Sequence, residues 1–205
     1  MAALIYPASD ASAALILAHG AGAGQKSPWM VKAAQALAER GISCATFDFP
    51  YITAGRKTPD RAPILEDHWR KVLADARPEL GDLPVFIGGK SMGGRIASQV
   101  AAQGVPGIAG LLFLGYPLHP PGKPQERRDA HLPAIKERML FVQGSKDAFG
   151  TSEEIRALLP KLQRATLHEI AGGDHSFKVS GRGAPKPDVM LDGILDVVRA
   201  WIGAQ

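Results

Sequence analysis

The chain has 205 residues, 45% hydrophobic and 21% charged, with 24 Lys and Arg against 20 Asp and Glu for a formal charge of +4. This is ordinary globular composition, which excludes disorder and collagen-like repeats, and without a dense basic stripe the positive charge does not point to nucleic acid. A lone cysteine, Cys44, rules out an internal disulfide or a multi-cysteine metal centre and reads as a core residue inside an apolar run.

At roughly 150 residues per domain the length reads as one domain over 1–205. Residues 1–10 lack a basic n-region and a small-residue cleavage site, so cytoplasmic residence is the expectation. The longest apolar stretches, 13–18 and 110–115, fall far short of the roughly 20 residues that cross a bilayer, and no membrane association is expected. In chain order, an edge strand is expected near 4–7, then strands over 13–18, 43–49, 84–88, 110–114, 139–143 and 165–170. Between them lie amphipathic windows. A helix over 29–40 carries Val31, Ala34, Leu37 and Ala38 on one face and stops at Gly41. A second, over 69–77, aligns Trp69, Val72, Leu73 and Ala76. Thr151-x-x-Glu154 is a capping box that starts a third helix, and the last, from about Pro187, has a stripe of Met190, Ile194, Val197, Val198 and Trp201. Val- and Ile-rich runs alternating with helices predict an α/β fold: a mostly parallel central sheet covered on both faces.

The sharpest chemical signal is Gly89-Lys90-Ser91-Met92-Gly93-Gly94, a G-x-S-x-G match between a predicted strand and a predicted helix. Such a turn strains the serine backbone, and glycines flank it because side chains there would clash where strand and helix nearly touch. Ser91 is thereby presented at the carboxyl end of its strand as a candidate nucleophile. A serine hydroxyl needs a base to take its proton and a carboxylate to orient that base. Asp147 follows the strand over 139–143, and His175 follows the strand over 165–170, in the order serine, acid, histidine. Of the six histidines, only His175 follows the last strand; His119 is the next candidate. Asp174 rivals Asp147 as the acid, but its place beside the histidine suits loop hydrogen bonds better.

Acyl transfer builds negative charge on a carbonyl oxygen, which two backbone N–H groups can stabilise. The N–H of Met92 is one candidate. The other is expected from His19-Gly20-Ala21-Gly22-Ala23-Gly24, with Ala21 preferred, Gly22 the alternative, and His19 bracing the loop. That segment is not a phosphate-binding loop, because Gln25 stands where glycine must precede Lys26. No metal-ligand cluster stands out; Asp129-x-His131 alone is weak. Lys90 reads as a partly buried packing or hydrogen-bonding residue.

Together these motifs resemble the α/β-hydrolase superfamily, and within it a small serine branch related to dienelactone hydrolases, with its HGAG, GGKSMGG and Tyr116-Pro117-Leu118-His119-Pro120-Pro121 segments. The resemblance spans nearly the whole chain. It implies an α/β-hydrolase fold, no cofactor, a triad of Ser91, Asp147 and His175, and a small-molecule ester or thioester substrate. Dienelactone hydrolases use a cysteine nucleophile, so Ser91 separates this chain from their lactone chemistry. Some members resemble scaffold subunits of a chromatin acetyltransferase complex, which gives the alternative of a catalytically idle, protein-binding fold. The interval 115–138, where related enzymes insert a lid domain, is a short proline-rich excursion here, so no separate lid and an open, shallow site are expected. Lys123, Arg127 and Arg128 in that excursion read as solvated surface rather than an anion site.

Overall fold

The computed structural model describes residues 3–204. Its strands are β1 (Leu4–Tyr6), β2 (Ala13–Ala18), β3 (Ile42–Phe47), β4 (Val85–Lys90), β5 (Gly110–Leu114), β6 (Arg138–Gly144) and β7 (Ala165–Ile170). They form one sheet in the order β1-β3-β2-β4-β5-β6-β7, parallel throughout except for β1, which runs antiparallel to β3. Strands buried on both faces must be apolar at every position, and all six residues of β2, Ala-Ala-Leu-Ile-Leu-Ala, are buried. Successive side chains feed opposite faces. Leu15, Leu17 and Cys44 meet helices α1 (Pro28–Glu39) and α6 (Pro187–Gly203) on one side; Ile16, Phe47 and Ile87 meet α3 (Ala62–Leu80) and α4 (Met92–Ala102) on the other. Two short helices, α2 (Pro50–Thr53) and α5 (Ser152–Arg156), lie on connections. Among the described residues no helix is long and apolar enough to cross a membrane.

The expected strands over 13–18, 110–114 and 165–170 match β2, β5 and β7, and the others shift by a residue or two. The strand expected over 43–49 ends at Phe47, because Asp48 leaves the sheet to accept the Gln25 N–H at 2.6 Å and Phe49 donates its N–H to His19 Nε2 at 3.2 Å. The helix expected over 69–77 runs from Ala62 to Leu80. Proline is tolerated in its first turn, Pro78 falls in its last, and Gly81 at φ 62 ends it. The capping box is present: Glu154 N–H donates to Thr151 Oγ1 and Thr151 N–H to Glu154 Oε2.

Two helix faces differ from expectation. α1 buries Met30, Ala33, Ala34, Ala36 and Leu37, leaving Val31 and Ala38 at the margin. α6 buries Leu191, Ile194, Leu195, Val198 and Ile202, while Met190, Val197 and Trp201 are only partly covered. The expected and the observed stripes share Ile194 and Val198, so α6 has one broad apolar face, and packing against the sheet and α1 selects which part of it is covered.

Parallel pairing brings the carboxyl ends of the central strands to one rim, with Ala18 opposite Gly89, Lys90 opposite Leu114, and Gly144 opposite Ile170. The loops after β2, β4, β6 and β7 therefore open on the same side. The β5–β6 connection, 115–137, carries no separate lid. It is pinned to α4 where Ser98 Oγ and His131 Nε2 lie 2.7 Å apart, and braced within itself where Tyr116 Oη donates to the Arg128 carbonyl at 2.8 Å; Leu132 is fully buried. Two of its cations are paired within the segment, Lys123 with Glu126 and Arg127 with Asp129.

Candidate active site

Ser91 sits between β4 and α4 at φ 50, ψ −119, a conformation that L-residues rarely adopt and that survives only where the surroundings enforce it. The enforcement is visible in the glycines. A Cβ on Gly93 would stand 2.5 Å from the Ala18 carbonyl oxygen and 2.6 Å from that of His19; one on Gly89 would stand 2.4 Å from Ala18 O. Only glycine lets α4 start directly against β2, and this close approach raises Ser91 above the rim.

Three loops converge there. His175 Nε2 lies 2.8 Å from Ser91 Oγ, and His175 Nδ1 lies 2.8 Å from Asp147 Oδ2. Asp147 is 1% exposed. Its Oδ1 accepts the Phe149 N–H at 2.8 Å and its Oδ2 also accepts Gln143 Nε2 at 2.9 Å, so the carboxylate is held by donors on both oxygens. The Phe149 ring lies against the His175 ring with centroids 4.2 Å apart, limiting its rotation. Three of the other histidines are occupied elsewhere: His119 with Glu154 and the Pro120 carbonyl, His131 with Ser98, His68 with the Asp48 carbonyl. Asp174 accepts the N–H groups of Ser176 and Lys178 through Oδ1, stabilising its own loop.

The loop after β2 is fixed from beneath. His19 is fully buried, and burial pushes its pKa down, favouring the neutral ring. It accepts the Phe49 N–H at Nε2, so Nδ1 carries the proton and donates to the Gly20 carbonyl at 2.8 Å. Gly20 approaches closely enough that a Cβ there would lie 3.5 Å from Ser91 Cβ. An open cleft of about 430 Å³ has Ala21, Ser91, Phe149 and His175 in its walls; Gly22 is not among its lining residues. Met92 opens α4, where the first N–H groups have no intrahelical acceptor.

One contributor escapes sequence reasoning, and a second was read only as a packing or hydrogen-bonding residue without its partner. Gln143, fully buried, donates to Asp147, to the Gly150 carbonyl at 2.7 Å and to the Tyr116 carbonyl at 3.3 Å, while its Oε1 accepts the Tyr116 N–H at 2.7 Å. A buried amide at the end of an apolar strand must find partners, and that was the available signal. Lys90 is the other. Its Nζ donates to the His175 carbonyl and lies 4.8 Å from the centre of the Phe177 ring. Burial pushes the Lys90 ammonium down to about 8, against the opposing attraction of Asp147 and Asp174.

That shift links Lys90 to stability. An unfolded chain holds the proton to about pH 10.5 and the folded chain only to about 8, so folding gains stability as pH rises across that window and loses it as pH falls through 8. Urea unfolding of the wild type and Lys90→Met at about pH 7.5 and about pH 10 is expected to show the wild type gaining on the variant at the higher pH. An unchanged difference would contradict it.

A sequence profile for the alpha/beta hydrolase domain matches residues 11–203. The chain belongs to the alpha/beta hydrolase family. Solved structures share the alpha/beta hydrolase fold over nearly the full length. Est1E from Butyrivibrio proteoclasticus with ferulic acid bound is 14% identical, with 98% of this chain and 93% of that chain covered and a TM-score of 0.75. A dienelactone hydrolase from Anabaena variabilis is 20% identical, with 97% and 88% covered and a TM-score of 0.73. An alpha-beta serine hydrolase homologue from Coxiella burnetii is 18% identical, with 98% and 88% covered and a TM-score of 0.71. At these identities the likeness establishes architecture.

Proposed function

We propose that this alpha/beta hydrolase cleaves small ester or thioester substrates through an acyl-enzyme on Ser91. The observation that carries the reading is the unbroken relay of two 2.8 Å hydrogen bonds from Ser91 Oγ through His175 to Asp147. His175 Nε2 takes the Ser91 proton as Oγ attacks the substrate carbonyl carbon. The carbonyl oxygen gains the negative charge and is stabilised by the N–H groups of Ala21 and Met92. Collapse of the tetrahedral intermediate breaks the bond to the alcohol or thiol, which leaves with the proton held by His175. Water then loses a proton to His175, attacks the acyl carbon, and releases the acid with Ser91 restored. Asp147, buried and hydrogen-bonded on both oxygens, holds the Nδ1–H tautomer and stabilises the imidazolium that forms in each half.

The open cleft and the absence of a separate lid favour small substrates or partly exposed acyl groups over long lipids buried under a cap. A fluorophosphonate probe tests the nucleophile: one adduct per chain is expected, mapped to Ser91 by peptide mass spectrometry. An intact, folded protein that takes no label, or takes it elsewhere, would overturn the reading in favour of a scaffold.

A further inference from the structure

A second cavity, of about 400 Å³, opens between α1 and α6 beside the Ser91 cleft. Its walls are chiefly Pro28, Trp29, Phe177, Met190, Leu191 and Ile194. Trp29 and Ser176 line both cavities, so the apolar chamber and the reaction cleft are neighbours separated by shared side chains. Charge is confined to a few residues, Lys32 and Asp188, which pair at 2.6 Å and are substantially exposed, and Lys178, which is also exposed. A chamber of this size, lined by apolar side chains and placed next to a reactive group, suits the apolar part of a small molecule.

Phe177 gives a second observation. It is 3% exposed yet holds φ 64, a left-handed conformation that is costly for an aromatic residue. The backbone turns there two residues after His175, and the ring faces both the Lys90 ammonium and the chamber. A wall of the chamber is thus covalently continuous with the base and packed against the lysine that holds the base's carbonyl.

The geometry points to the α1–α6 chamber as a specificity subsite that receives one apolar substituent, a medium-length alkyl or aryl group, of the ester cleaved at Ser91. This assignment rests on the ester-hydrolase reading and names its substrate class. The substituent is on the acyl or the alcohol side of the scissile bond; apolar burial is the same chemistry in either case, and matched esters tell the two apart.

The experiment compares ethyl acetate, ethyl octanoate and octyl acetate by titrating released acid, with kcat/KM taken for each. The wild type is expected to prefer one of the two long esters over ethyl acetate by at least about tenfold, since buried methylenes each add to binding. Ethyl octanoate would place the acyl chain in the chamber, octyl acetate the alcohol. Met190→Trp fills the chamber and Trp29→Ala removes its shared wall; each should cut that preference at least about tenfold. Val189→Trp, on the exposed face of α6 and outside the chamber, should keep it. Thermal melting shows whether each variant is folded, and either folded chamber variant suffices. No long-ester preference in the wild type, or a preference retained in a folded chamber variant, overturns the subsite while probe labelling of Ser91 keeps the hydrolase reading. No turnover of any ester together with no probe adduct removes both.

Discussion

Ser91→Ala is expected to lower kcat for p-nitrophenyl acetate by roughly 10⁶-fold, the loss that follows when a triad nucleophile is deleted. Its Oγ lies 2.8 Å from His175 Nε2, and alanine offers nothing to attack with. The fold should tolerate the change. Alanine at φ 50 carries the same backbone strain as serine, and the lost hydroxyl faces the cleft, where water can replace its hydrogen bond. Residual turnover of about 10³-fold over water would come from the oxyanion N–H groups and substrate positioning. Steady-state kinetics alongside a melting curve make the measurement; undiminished turnover in the variant would place the chemistry somewhere other than Ser91.

Asp147→Asn should cost about 10⁴-fold in kcat with little change in KM. The arithmetic is in the hydrogen bonds. Oδ1 must accept the Phe149 N–H and Oδ2 must accept both Gln143 Nε2 and His175 Nδ1–H. Asparagine has one acceptor oxygen. If it faces Phe149, its amide N–H₂ meets two donors; if it faces Gln143 and His175, the amide meets the Phe149 N–H. The arrangement that spares Phe149 turns the histidine to its other tautomer, with the proton on Nε2, where it can no longer accept from Ser91. Gln143→Glu or Gln143→Leu would unsettle the same carboxylate indirectly. Asp147→Asn with near-native kcat would mean that the acid lies elsewhere.

Much of this architecture could be read before folding because its demands are local. The turn around Ser91 announces itself through Gly89 and Gly93, whose missing side chains answer to backbone contacts below 3 Å. Asp147 and His175 could be placed because parallel strands deliver their following loops to one rim, so position after a strand is enough. What stayed hidden depends on partners distant in the chain. Lys90 reaches His175 across 85 residues, and Gln143 binds Tyr116 across 27, neither visible in any window. The strand expected to reach Phe49 ended early because Asp48 and Phe49 answer to Gln25 and His19 rather than to sheet neighbours. Helix α6 was legible as a helix, but not its phase, because its apolar face is broad and only the neighbouring α1 and sheet decide which part is covered. Nor could the left-handed Phe177 be foreseen; nothing in the residue type requests it.

The tethering of the β5–β6 connection to α4 sets how molecules come and go. With His131 tied to Ser98 of α4 and Tyr116 tied to Arg128, that segment is held in place rather than hinged as a flap over the serine. Under the proposed mechanism no shutter then shields the acyl group from bulk solvent between the two halves of the cycle. Water, present in large excess at an open cleft, is then the expected acceptor, so ester hydrolysis should exceed alcohol exchange.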